Sequence, residues 1–172
     1  MPLDFPTLVP LVVSVLGALS VGSLILQWAA SGKDRRAARA EVLRALGAVE
    51  AARWKFSERD AYQNLRDAIR DLETAALLAR VPRRVLIPYS ELSIASLWWL
   101  MEEADLTEPV GLDLHISDAV HDAAEIVSRA TWETPATRWA WLETRLTRLE
   151  QSVAAVDDDR FQAKIRSARR GI

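Results

Sequence analysis

LVPLVVSVLGALSVGSLILQW, residues 8–28, runs for about 21 positions without a charged side chain. At roughly 1.5 Å of rise per residue, a helix of that length matches the hydrocarbon thickness of a bilayer. Its clearly polar members are Ser14, Ser20, Ser23 and Gln27. A backbone amide left unpaired in hydrocarbon costs several kcal/mol, so a lipid-embedded segment of this kind must pair its amides internally as a helix. Pro10 falls in the first turn, where a missing N–H matters least. Two rival readings are a buried core helix, which seldom extends past about 18 uncharged residues, and a cleaved signal peptide. The latter calls for a basic leader and a shorter apolar core. Here Asp4 is the only charged side chain ahead of the run, although Ala29, Ala30 and Ser31 offer the small residues a cleavage site uses. The sequence therefore predicts a transmembrane helix over 8–30 after a short outer segment 1–7, with Leu8, Leu16 and Leu24 in hydrocarbon and Trp28 at the interface.

Every Lys and Arg lies beyond position 32, and Lys33, Arg35, Arg36 and Arg39 crowd the exit of the run. The positive-inside rule then puts the C-terminal mass in the cytoplasm and the N-terminus outside, as for a single-pass protein of the cell inner membrane with anionic headgroups at its exit. The absence of cysteine suits a reducing compartment. Ser14, Ala18 and Gly22 share one helical face at spacing four, a small-residue seam that predicts a homodimer through the span.

The remaining 140 or so residues are enough for one core. With 22 basic and 24 acidic side chains and a pI near 5.8, the chain lacks the net basic charge of a general nucleic-acid binder. Few glycines, an Ala/Leu/Arg/Glu-rich composition and no sustained period-two alternation predict an all-α domain. Apolar stripes at spacings of three and four mark helices over about 31–56 (Val42, Leu46, Val49, Ala52, Phe56) and 57–80 (Tyr62, Leu65, Ile69, Leu72, Ala76), the second opened by Ser57 and Asp60 as a capping box. Pro82 and Pro88 predict a break, with a third helix from Ser90 to Ala104. A loop near Thr107–Gly111 and a fourth helix over 113–130, with Ile116, Val120, Ala123, Val127 and Ala130, follow. Thr134 and Pro135 open a fifth, whose stripe is Trp139, Leu142, Leu146, Leu149, Val153 and Val156. Short connections predict an up-down bundle of about five helices over 31–156. Asp157, Asp158 and Asp159 oppose the dipole of the fifth helix and predict its stop. They leave 157–172 as a charged tail, solvated or forming a short amphipathic helix through Phe161 and Ile165.

Alternation from the anchor returns residues 80–89, RVPRRVLIPY, to the membrane side. Arg80, Arg83 and Arg84 beside Val85, Leu86 and Ile87 have the composition of an interfacial contact, or of a loop that plugs the bundle with its arginines in water. On the fourth helix, Asp118, His121, Asp122 and Glu125 recur at helical spacing, so that one face gathers carboxylates and an imidazole, the ligand types of a divalent metal. No second carboxylate-x-x-His unit faces it, as a di-iron bundle requires. No Gly-rich phosphate loop, Gly-x-Ser-x-Gly elbow, cysteine nucleophile, Arg-to-His pairing of the HEPN ribonucleases or paired Glu-x-x-Glu of helical pyrophosphatases is present. Neither a catalytic residue nor a cofactor is expected. Of the seven tryptophans, the adjacent Trp98 and Trp99 diverge by about 100° on a helix, and Trp141 points away from the Trp139 seam. These three are expected at a protein interface. The layout resembles that of small bacterial membrane proteins, a likeness of composition that names no family. It predicts a non-catalytic membrane-anchored adaptor, with an accessory subunit of a membrane complex and a metal-dependent hydrolase as the alternatives.

Overall fold

The computed structural model describes residues 33–104, 114–156 and 159–171, and among them there are six helices and no strand. Leu8, Ser14, Leu16, Ala18, Gly22, Leu24 and Trp28 lie outside the described residues, as do the 107–111 loop and the Asp157–Asp158 pair. No helix among the described residues is long and apolar enough to cross a membrane. The chain divides into two compact units, Met1–Ala37 and Ala38–Ile172. Of the first, residues 33–37 are described; they are helical, with Lys33, Arg35 and Arg36 exposed.

The helices are α1 (33–53), α2 (Ala61–Leu78), α3 (Arg83–Ala104), α4 (Leu114–Trp132), α5 (Pro135–Ala154) and α6 (Asp159–Gly171). The α1, α2 and α4 stripes bury most of the residues their spacing selects: Val42, Leu46, Val49 and Ala52; Leu65, Ile69, Leu72 and Ala76; Ile116, Val120, Ala123, Val127 and Ala130; Tyr62 is half-buried, as is Phe56, which lies past the end of α1. Each fully buried Val, Leu or Ile contributes about 1.5–3 kcal/mol relative to exposure. The Ser57 capping box does not form. Asp60 is the N-cap of α2 without a side-chain cap bond, and the turn is held instead by Ala61 N–H to Glu58 O at 3.1 Å. Thr134 does cap α5, its hydroxyl accepting from Thr137 N–H at 3.4 Å.

Helix α3 departs most from its expected form. It starts at Arg83 and runs through Pro88, so residues 83–89 are helix rather than loop. An interior proline forfeits one backbone bond, which the surrounding packing offsets. Every residue from Tyr89 to Leu97 is buried, Ser90 among them, which makes α3 the hub against which α2, α4 and α6 pack. A helix covered on all sides has no polar face and hence no stripe. Met101, near the C-terminal end of α3, is exposed.

The chain reverses between α2 and α3 through a Schellman turn. Val81 N–H bonds Ala76 O at 2.9 Å, Arg80 N–H bonds Leu77 O at 3.1 Å, and Arg80 adopts φ 58°. Glycine is the usual occupant of that left-handed position, which costs other residues about 1–2 kcal/mol.

Helix α5 ends at Ala154, and Asp159 stands in the first turn of α6, where a carboxylate complements the helix dipole; Arg169 and Arg170 complement the last turn. The expected tail is thus a sixth helix of the core. Phe161, Ile165 and Ala168 are buried against α3, and Gln162 Nε2 donates to Val153 O at 2.7 Å and Val156 O at 3.3 Å, satisfying carbonyls at the end of α5. Lys164 pairs with Glu102, and Arg169 with Glu91 at 2.8 Å, which sets α6 antiparallel to α3.

Candidate functional site

Polar side chains gather in three regions of the helical bundle. On α4, Asp118, His121, Asp122 and Glu125 are all exposed, and Glu125 pairs with Arg145 of α5 at 2.8 Å. Among the described residues, no group of three His, Cys, Asp or Glu side chains is arranged to hold a metal ion. The spacing gathers these groups on one face, but that face lies away from the buried stripe.

A second region is a polar seam between α1 and α3. Arg53, 4 % exposed, donates to Glu50 Oε2 at 2.6 Å and to Ser96 Oγ at 3.0 Å, while Tyr89 Oη donates to Glu50 Oε1 at 2.7 Å. The guanidinium also lies 4.7 Å from the centroid of the Trp54 ring. These bonds fix the register of α1 on α3. Burial, and after it the Glu50 carboxylate, push the Tyr89 hydroxyl well above its ordinary value of 10.0. Because that shift is upward, its stabilising effect is complete below pH 10 and is lost as pH rises, when unfolded tyrosine ionises and the folded one does not. The expected result is a fall in stability of about 1.4 kcal/mol per pH unit above pH 10. Melting curves from pH 9 to 11 (about one unit either side of the tyrosine value) should show it, and Tyr89→Phe should flatten the slope.

The third region is one end of the bundle. Arg138, 7 % exposed, donates to Arg80 O and to Glu133 O, each at 3.1 Å, joining the α2–α3 turn to the α4–α5 junction. A buried cation at these helix C-terminal carbonyls meets their partial negative charge. Burial, and after it the neighbouring Arg39, draw its pKa below the ordinary arginine value, while Glu133 opposes them. The Arg39 guanidinium stands 5.9 Å from the Trp132 centroid, and Arg84 lies 4.4 Å from that of Trp139 while pairing with Glu143. The start of α1 in the second unit, the end of α2 and the starts of α3 and α5 therefore meet at the end of α4. No family model, curated protein or solved structure matches this chain.

The three tryptophans expected at an interface are all half-buried within the chain. Trp98 is half-buried and stacks on Tyr62 with centroids 5.7 Å apart, Trp99 is half-buried against the core, and Trp141 donates its indole N–H to Glu133 under the Arg129 guanidinium. Trp139 projects, 64 % exposed, with the Arg84 guanidinium over its ring. Trp132 and Trp54 are each 50 % exposed. In the 80–89 stretch, Val85 and Leu86 are core residues at 1 % and 3 % exposure, while Arg80 and Arg83 face solvent and Arg84 is half-buried. Glu50, Arg53, Tyr89 and Arg138 escape a reading by periodicity, since charged and hydroxyl groups count there as outward-facing. The one available signal is Arg53 four residues after Val49, on the apolar side of α1.

A cavity of about 590 Å³ also opens between α3, α5 and α6, lined by Leu92, Leu149, Val153 and Ile165 together with Arg84, Arg166 and the Glu91–Arg169 pair. Of its charged groups, Glu91 and Arg169 pair with each other, and Arg84 pairs with Glu143 outside the lining.

Proposed function

We propose that the protein is a single-pass, membrane-anchored helical adaptor that presents its bundle to a cytoplasmic or membrane partner and carries out no reaction itself. The observation that carries this reading is the uncharged run Leu8–Trp28, followed at once by Lys33, Arg35, Arg36 and Arg39. The non-catalytic part draws support from the polar groups of the bundle. Glu50, Arg53 and Tyr89 are spent on helix register, Arg138 on helix ends, and Glu125, Glu133 and Glu143 on ion pairs. On this reading the N-terminus is outside, the bundle lies on the cytoplasmic face, and the Ser14–Ala18–Gly22 face pairs two spans.

The test is protease protection of the full chain carrying a C-terminal epitope. In intact cells stripped of their outer barrier the epitope should survive, and in inverted membrane vesicles it should be digested. Digestion in the intact cells overturns the topology. Purification from the same membranes in mild detergent should retain a stoichiometric protein partner; recovery of a bare homo-oligomer removes the adaptor role.

A further inference from the structure

The end of the bundle joined by Arg138 carries four large apolar side chains that packing leaves in water. Leu77 is 78 % exposed, Leu78 70 %, Trp132 50 % and Trp139 64 %. A scattered exposed leucine needs no explanation, but these four occupy helix ends tied together by the Arg80, Arg138 and Glu133 contacts. Interleaved with them are Arg39, Arg80, Arg83 and Arg84. Arg80 and Arg83 are exposed and enter no ion pair with another described residue. Arg80 holds a left-handed backbone position that glycine would fill with less strain, so the chain retains a cation there at a cost to folding. Arginine with tryptophan and leucine is the composition that lies in the headgroup layer, cations on phosphates and rings at the acyl boundary.

We infer that this end of the bundle is seated on an anionic lipid surface, with Leu77, Leu78, Trp132 and Trp139 at the acyl boundary and Arg39, Arg80 and Arg83 among the phosphates. The inference rests on the anchored reading above and adds the contact surface. Two observations select lipid as the occupant. One is the net positive charge of the end, whose described carboxylate contacts are Glu133 and Glu143. The other is connectivity: the compact unit begins at Ala38, next to Arg39 at this end, and in sequence the uncharged run and three further cations come just before it. The aliphatic pair Val85–Leu86 takes no part, because both side chains are core.

The sequence has no cysteine, so single cysteines can be placed in the full chain without background. Leu78→Cys and Trp139→Cys report on this end; Glu58→Cys and Gln151→Cys, both at exposed positions of the opposite end, serve as references. Each is labelled with a polarity-sensitive fluorophore and reconstituted in phosphatidylcholine vesicles with or without phosphatidylserine, using lipids that carry a quencher near the headgroup. Labels at 78 and 139 should be quenched and those at 58 and 151 should not. Removing phosphatidylserine, or introducing Arg80→Glu with Arg83→Glu, should lower the docked-to-free ratio about fivefold for each arginine. Equal quenching at all four positions, in vesicles that retain the protein, overturns the docking surface and leaves the anchor standing. A chain that does not float with the vesicles overturns both. Shielding at 78 and 139 that persists in detergent and grows with protein concentration assigns the surface to a second copy and overturns the lipid contact.

Discussion

Replacing Phe161 with alanine is expected to lower the unfolding free energy by about 3–5 kcal/mol, the range for a fully buried aromatic whose site cannot collapse. Phe161 is 0 % exposed, and with Ile165 and Ala168 it forms the apolar face that holds α6 on α3. At about 3–5 °C per kcal/mol for a domain of this size, the melting midpoint of the full chain in mild detergent should fall by roughly 10–20 °C. A solvated tail would give no change. The variant therefore separates a six-helix core from a five-helix bundle with a charged end. Gln162→Ala should follow in the same direction with a smaller loss of about 1 kcal/mol, as two carbonyls at the end of α5 lose their donor.

The second large effect is expected at Arg53. Alanine there strands the Ser96 hydroxyl in the interior and leaves Glu50 facing the Tyr89 hydroxyl with no counter-charge. Removing one member of a buried pair costs about 3–5 kcal/mol. The Glu50 side chain is 33 % exposed and partly screened by water, so a loss of about 2–3 kcal/mol is the expected result. Arg44→Ala, which removes a fully exposed i,i+3 partner of Glu41, serves as the comparison and should scarcely move the midpoint. Equal effects at the two sites would show that the α1–α3 seam does not fix register.

How much of this was legible in the sequence depends on how each helix is buried. Helices α1, α2 and α4 lie at the surface with one buried face, and a one-sided environment writes itself into the sequence as a stripe. Helix α3 is enclosed. Its Tyr89–Leu97 stretch mixes Ser90, Glu91, Ser93 and Ser96 with aliphatic residues, and no periodicity survives when every direction points inward. Pro82 does stand in the turn before α3, but the break expected at Pro88 is overridden by tertiary packing. For α6, the Asp157–Asp159 run supports two readings. As an end to α5 it is a stop signal, and as a start to α6 it is a favourable first turn; Phe161, Ile165 and Ala168 at spacings of four and three favour the second.

The candidate site was less legible still. Trp139 sits on the α5 stripe, yet identical spacing gives an exposed ring there and core residues further along at Leu142 and Leu149. Trp141, which spacing points outward, finds Glu133 and Arg129 instead. Arg138 neighbours Trp139 in sequence and is one of the most buried cations among the described residues, because carbonyls at the ends of α2 and α4 accept from it. Such roles come from where helices stop, and the stops depend on packing between segments far apart in the chain.

The claim on which the account depends is that residues 8–30 hold the protein in a bilayer. It is tested most directly by washing native membranes with alkaline carbonate, which strips peripheral proteins and leaves spanning ones, and following the full chain with an antibody to its C-terminal part. The account predicts that the intact chain stays in the pellet, dissolves only with detergent, and moves to the supernatant when residues 8–30 are deleted. Recovery of the intact or shortened chain in the carbonate supernatant of the unaltered protein would contradict it.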